Sequence, residues 1–335
     1  MIAQSDMDTA DKALLNVLQS SFPLTQHPFA EIGRRLGIAE DATIKRIGVL
    51  KAKHVVREIS AIFDTHRLGY NSSLVAMRFS PEALLQAAHH INRHPGVSHN
   101  YSRDNYFNLW FTLAVGPGSN LECEVMKLAE ETQTCAWRVL PALRVYKIGV
   151  SFDMLSGEGA CPSPSTLSPA TRQLSAEPQP LTDMDKAAVR LLQQDLPLCP
   201  QPFEALAQGL GLSGKALVSK AASMQEQGIM RRYGAVLHHR RAGFKANGMA
   251  VWQVPQDQLE LVGKTFAAHP SVSHCYQRPT FPDWPYSLFT MVHATTKEGC
   301  NGIIRSLGDS MGISRYQVLY SQTEFKKTRV RYFVE

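Results

Sequence analysis

DKAAVRLLQQDLPLCPQPF (residues 185–203) repeats DKALLNVLQSSFPLTQHPF (residues 11–29), and this repeat organises the whole chain. Asp11-Lys12, Pro23-Leu24, Pro28-Phe29 and Gly37 fall on Asp185-Lys186, Pro197-Leu198, Pro202-Phe203 and Gly211. Downstream, HPGVSHNYSR (residues 94–103) falls on HPSVSHCYQR (residues 269–278), and NLWFTL (108–113) on SLFTMV (287–292). Two homologous modules therefore fill the chain. Between them, residues 156–181 are rich in Pro, Ser and Gly and poor in large apolar side chains, the composition of a flexible linker. Two copies of one module on one chain are expected to pair as a pseudo-symmetric dimer.

Each module reads in two parts. Asp8 or Asp11 caps a first helix that carries Leu14, Leu15 and Leu18 on one face. A proline-bracketed loop at 22–28 leads to a second helix at 29–36, closed by Gly37. Asp41 can cap a third helix with Ile44, Ile47 and Leu50 inward, and residues 55–63 read as a strand or hairpin wing. Three helices and a wing make a winged helix-turn-helix. Beyond it, Val75, Met77 and Phe79 alternate as a strand; a helix at 82–92 and a strand at 97–103 follow. Phe107, Leu109, Phe111, Leu113 and Val115 keep period two, then come a helix at 121–131 and a strand at 137–150. The order βαββαβ is ferredoxin-like. The second half repeats it with strands at 249–254, 272–278, 286–294 and 315–333 and helices at 258–268 and 297–307. The expected fold is α+β, divided into 1–66 and 182–240 (winged helix-turn-helix), 67–155 and 241–335 (ferredoxin-like) and the linker 156–181.

The 335 residues carry a net charge of +6, which suits nucleic acid or a small polyanion. The start lacks the basic and apolar segments of a signal peptide, and no apolar run is long enough to span a bilayer. Six scattered cysteines without a C-x-x-C spacing read as reduced thiols in a cytoplasmic protein. A P-loop, a zinc-ligand cluster and a nucleophile elbow are absent from the sequence, which argues against those enzyme classes.

RRYGAVLHHRRAGF (residues 231–244) sets four arginines and two histidines around Ala235-Val236-Leu237. Four permanent charges this close repel one another unless something anionic sits between them. The stretch is either a solvated wing or a pocket for a ligand with several carboxylates or phosphates, which guanidinium forks match bidentately. A winged helix followed by a ferredoxin-like domain resembles the Lrp/AsnC regulators, in which the first domain binds DNA and the second dimerises and senses a small molecule. Here the recognition-helix candidates, residues 41–53 and 213–228, differ from each other and offer few groups for base edges, so DNA binding is not expected. Lys45, Arg46, Lys51 and Lys53 can hold phosphates or form an ordinary solvated face.

Several strings are closer to one branch of that family. RRYGAVLHHRRAGF, the paired FPLTQHPF and LPLCPQPF loops, SHNYSRDNYFNLWFTL and CYQRPTFPDWPYSLF together resemble the siroheme decarboxylases, whose fused two-module members act in heme d1 synthesis. The resemblance implies loss of the C12 and C18 acetate carboxyls of siroheme, giving 12,18-didecarboxysiroheme and two CO2. It implies no cofactor beyond the iron of the substrate. In the family's G-A-V-L-x-H-R pattern, residues 234–240 match and His239 takes the motif position. His239 and His274 are then the candidate catalytic residues, and either can ligate the substrate iron. Arg231, Arg232, Arg240, Arg241, Arg103, Arg278, Tyr276 and His99, the mate of His274, are the candidate substrate-binding residues. Tyr101, Trp284 and Tyr286 can face the macrocycle, whereas Trp110 and Phe289 read as core. The first module departs from the pattern: Glu58, Asp64 and Thr65 stand where the second has Arg232, His238 and His239. One competent site is therefore expected on the second module, with Arg57, His99 and Arg103 contributed by the first. The rival readings are a transcription regulator sensing a heme-like tetrapyrrole and a non-catalytic tetrapyrrole carrier.

Overall fold

The computed structural model describes residues 7–148, 180–237 and 246–334. The first half runs α1 (Thr9–Ser20), α2 (Pro28–Leu36), α3 (Glu40–Ala52), β1 (Val56–Phe63), β2 (Asn71–Arg78), α4 (Pro81–Asn92), β3 (Val97–Arg103), β4 (Leu109–Val115), α5 (Leu121–Thr132), β5 (Ala136–Leu140) and β6 (Arg144–Ile148). The second half runs α6 (Asp183–Leu192), α7 (Pro202–Ala207), α8 (Gly214–Glu226), β7 (Met230–Leu237), β8 (Ala246–Trp252), α9 (Leu259–Ala268), β9 (Val272–Gln277), β10 (Leu288–Ala294), α10 (Lys297–Ser310) and β11 (Tyr316–Lys327). Apart from Pro180 and Leu181, the linker at 156–181 lies outside the described residues. No helix of the described residues is long and apolar enough to cross a membrane.

Local chemistry sets the helix ends. Asp8 caps α1 by accepting the Asp11 N–H at 2.6 Å. Gly37 closes α2 in the left-handed region at φ 70, where a Cβ would be strained. Asp41 does not cap α3: the cap is Ala39, without a side-chain bond. Asp41 sits in the first turn instead, where its charge complements the helix dipole.

Among the described residues the two wings pair with each other. β1 pairs antiparallel with β7, with Ser60 opposite Gly234, Ile59 opposite Ala235 and Ala61 opposite Tyr233. Ser60 and Gly234 occupy the same place in the repeat, so the pseudo-twofold axis passes between them. One apolar core serves both helix-turn-helix units, joining Leu14, Leu18 and Ile47 to Val189, Leu192 and Leu217.

The ferredoxin-like units also exchange strands. They form one nine-stranded sheet in the order β5-β2-β4-β3-β11-β8-β10-β9-β6. The first part of β11 pairs with β8 of its own half, and its second part crosses to β3, where Lys327 lies opposite His99. In the first half the counterpart is two strands, not the single strand expected at 137–150: Pro141 has no N–H for a ladder, and β5 pairs with β2 while β6 crosses to β9. Because β5 and β6 end the sheet yet adjoin in sequence, the sheet curls back on itself around Ala76, Trp110, Leu140, Met249, Val251 and Phe289. Helices α4 and α5 cover the outer face of one half over Phe111 and Val125, and α9 and α10 cover the other over Trp252 and Phe266. The last strand stops at Lys327 and does not reach 333. The tail returns to the helix-turn-helix core, where Tyr332 is buried with its hydroxyl 2.8 Å from Thr65 Oγ1.

Candidate functional site

β3 and β9 carry matching strips. His99, Tyr101 and Arg103 alternate on one face of β3, as His274 and Tyr276 do on β9, with Arg278 just beyond its end. The intervening Asn100, Ser102, Ser273 and Cys275 point into the cores. In each strip the imidazole stacks on the phenol, at 6.3 Å between His99 and Tyr101 and 6.0 Å between His274 and Tyr276. Each arginine then ties down a strand of the opposite half. Arg103 Nη1 donates to the Leu319 carbonyl of β11 at 2.6 Å, and Arg278 Nη1 donates to the Leu140 carbonyl of β5. The Arg278 guanidinium also lies 5.0 Å from the Tyr276 ring and 5.4 Å from the Phe289 ring.

Arg103 is buried and Arg278 half-buried, the Nε of each is enclosed without a partner, and neither pairs with a carboxylate among the described residues. Desolvation pulls each down to about 10, so both stay cationic at neutral pH. An enclosed positive charge with only carbonyl and ring partners is costly, and an anionic ligand relieves that cost.

The histidines are anchored at Nδ1 by the preceding serine. Ser98 Oγ lies 3.0 Å from His99 Nδ1, and Ser273 Oγ lies 2.8 Å from His274 Nδ1. Any further chemistry of either ring is therefore carried by Nε2. Burial, then the charges of Lys327 and Arg57, hold His99 down at about 4, so it is neutral at pH 7. Arg57 belongs to β1; at β9, desolvation pushes the half-buried Tyr276 phenol upward against the charges of Arg278 and of Arg231 from β7. The charge of one wing arginine from each half is thus felt at a strip.

The wing cations have partners of their own. Arg231 donates to Asp64 Oδ2 through Nε at 3.2 Å and Nη2 at 3.1 Å. Arg232 Nη1 donates to the Gln19 carbonyl at 2.6 Å, and burial together with Arg329 pulls it to about 10. Arg329 is held by Glu58 at 3.1 Å. The mutual repulsion expected at 231–232 is thus relieved on one side by a carboxylate from the other half. His238, His239, Arg240 and Arg241 lie outside the described residues. Trp110, Trp284 and Phe289 are fully packed in the enclosed core, and Tyr286 sits edge-on to Trp284 at 5.0 Å. On α3, Arg46 is bonded to Asp8 and Asp11, and Lys51 to Asp195. The depressions lined by Glu82, His89 and Arg93, and by Gln26, Gln201 and Glu204, border neither strip.

The model of the siroheme decarboxylase NirDL-like HTH domain matches residues 11–57 and 185–231, and that of the AsnC-like ligand binding domain matches 67–147 and 241–326. The siroheme decarboxylase of Hydrogenobacter thermophilus is 39% identical over 328 residues, which span 96% of this chain and 94% of that protein. The chain belongs to the siroheme decarboxylase family. A crystal structure of the siroheme decarboxylase NirDL in complex with an iron-uroporphyrin III analogue superposes with a TM-score of 0.77 at 34% identity, covering 97% of this chain and 95% of that one. The siroheme decarboxylase beta subunit of Methanosarcina barkeri is 44% identical over 151 residues, 99% of its own length but 44% of this chain. One half of the duplication thus corresponds to a whole subunit of that siroheme decarboxylase.

Two side chains at the strips escaped the sequence reading. Lys327 bears on both His99 and His293, and His293 Nε2 lies 2.6 Å from Ser273 Oγ. His293 was visible as a break in the repeat: it aligns with Ala114, one residue past the NLWFTL/SLFTMV match. Lys327 became a neighbour of His99 only through the strand exchange.

Proposed function

We propose that this siroheme decarboxylase removes the C12 and C18 acetate carboxyls of siroheme, giving 12,18-didecarboxysiroheme and two CO2, at the β3 and β9 strips, where the charge of one wing arginine from each half is felt. The observation that carries this reading is the pair of guanidinium groups, Arg103 and Arg278, each with an enclosed, unpartnered Nε and without a carboxylate partner among the described residues. Siroheme brings eight carboxylates and a flat ring, the countercharge and the shape that two cations flanked by stacked aromatics would recognise.

Decarboxylation leaves an electron pair on a methylene carbon, which needs a sink and then a proton. An acetate on an aromatic pyrrole uses the protonated ring as its sink; an acetate on a saturated, methylated ring carbon has none. Two of the four acetates therefore react without an organic cofactor, the iron being part of the substrate. The protein supplies the proton, and histidine is the suitable donor near neutral pH. We assign that role to His274, with His239 as the second candidate. The arginines hold carboxylates that stay, because an equally tight grip on the departing one would stabilise the ground state.

Glu58 and Thr65 stand in the first half where Arg232 and His239 stand in the second, so one competent site is built mainly on the second half. The two losses are then sequential, and the substrate shifts or rebinds between them. Anaerobic single-turnover reactions, quenched and analysed by mass spectrometry, should pass through a mono-decarboxylated species. Direct conversion without that species would contradict the single site, and siroheme returned unchanged would favour a carrier or regulator. The unpaired cysteines among the described residues fit a reducing, cytoplasmic setting.

A further inference from the structure

Ser273 is fully buried, and its hydroxyl lies between two imidazoles, 2.8 Å from His274 Nδ1 and 2.6 Å from His293 Nε2. The Met291 carbonyl, at 3.4 Å, is a distant third partner. A serine hydroxyl has one hydrogen to donate. When Ser273 donates to His274, it accepts from His293 Nε2–H, and the His274 proton sits on Nε2. When it donates to His293, it accepts from His274 Nδ1–H, and Nε2 is bare. The tautomers of the two histidines are therefore coupled through one oxygen.

The first half has the same backbone without the second histidine. Ala114 N–H donates to the Gly96 carbonyl at 3.0 Å, as His293 N–H donates to the Ser271 carbonyl at 2.9 Å. The neighbouring register also matches, with Thr112 opposite His99 and Met291 opposite His274. Ser98 and His99 repeat the Ser273–His274 contact, but at the place of His293 the side chain is the methyl of Ala114. A hydrogen-bonded chain His293–Ser273–His274 thus exists in one half only.

We propose that His293 is a positioning residue for the decarboxylation, holding His274 in the tautomer that donates from Nε2 and, through Ser273, protonating Nδ1 as the Nε2 proton leaves. The inference rests on the assignment of His274 as the proton donor. As the carbon–carbon bond breaks, CO2 departs and the electron pair left on the methylene carbon takes the His274 Nε2 proton. The Ser273 hydrogen moves to His274 Nδ1, the His293 Nε2 proton moves to Ser273, and His293 Nδ1 takes a proton from water. The chain resets when His274 Nε2 takes a proton from water, Nδ1 returns its own through Ser273 to His293 Nε2, and His293 Nδ1 releases one to water, so one solvent proton is consumed net for each carboxylate lost.

The test compares His293→Ala, Ser273→Ala and His274→Ala with the wild-type full chain in anaerobic steady-state assays with siroheme, alongside spectroscopic titration of siroheme binding. Alanine already stands at the equivalent position 114, so His293→Ala suits the strand. We expect kcat to fall on the order of 10- to 100-fold in His293→Ala and in Ser273→Ala, with Kd for siroheme unchanged. Added imidazole should restore part of the activity of His293→Ala and none of that of Ser273→Ala. Wild-type kcat in His293→Ala, or a loss of affinity that accounts for the loss of rate, would overturn the relay. Full activity in His274→Ala would instead overturn the donor assignment on which it rests.

Discussion

His99 and His274 hold equivalent places on β3 and β9, each with Nδ1 on the preceding serine, yet Lys327 stands across the ladder from His99 and Ile148 from His274. The same contrast recurs around them. Ala114 replaces His293, and Glu58 replaces Arg232. The first strip is a neutral imidazole among cations, an arrangement suited to gripping carboxylates. The second adds a hydrogen-bonded supply of protons, an arrangement suited to spending one on carbon.

The largest effect that would sharpen this contrast is at the strip arginines. Arg278→Met removes a desolvated charge, so the substrate-free protein should keep its stability within about 1 kcal/mol, the lost carbonyl bond being offset by relief of the desolvated cation. Siroheme affinity should fall by on the order of 10-fold or more, corresponding to about 1.4 kcal/mol, as read by titration. Equal stability and equal affinity would remove Arg278 from the binding site.

An effect of similar size for each residue concerns acid stability. His99 and His293 sit at about 4 in the folded chain, against an ordinary 6.5. The unfolded chain therefore takes up protons below about 6.5 that the folded chain refuses until about 4. Stability is complete above that window and falls as pH drops through it, by about 1–2 kcal/mol per histidine between pH 7 and pH 5. Urea denaturation at the two pH values should show the drop, and His99→Gln and His293→Gln should each reduce it. An unchanged slope in either variant would place that histidine in a more solvated setting. The smallest effect is at Glu58. Its pair with Arg329 is partly exposed, so Glu58→Gln should cost less than about 1 kcal/mol in the same measurement.

The repeat made most of the fold legible. The caps at Asp8 and Gly37, the span of β3 and the βαββαβ order all follow from spacing and turn chemistry in the chain itself. What was not legible is partnership. Period two is the same whether a strand pairs within its own half or across to the other, so nothing local distinguishes β6 on β9 from β6 on its own sheet, or β1 on β7 from a hairpin. Lys327 reaches its strip only through another such crossing, of β11 onto β3. The strips themselves were legible because VSHNYSR and VSHCYQR repeat, whereas the partners of Arg231 and Arg232, Asp64 and the Gln19 carbonyl, come from the other half of the chain.

The most direct test of the division of labour sets wild type, His99→Ala and His274→Ala side by side with siroheme under anaerobic conditions, with mass spectrometry of the extracted tetrapyrrole. We expect the wild type to lose two CO2, His274→Ala to return siroheme intact, and His99→Ala to form the same product more slowly. An inert His99→Ala beside an active His274→Ala would reverse the roles of the two halves, and intact siroheme from the wild type would contradict the decarboxylase reading itself.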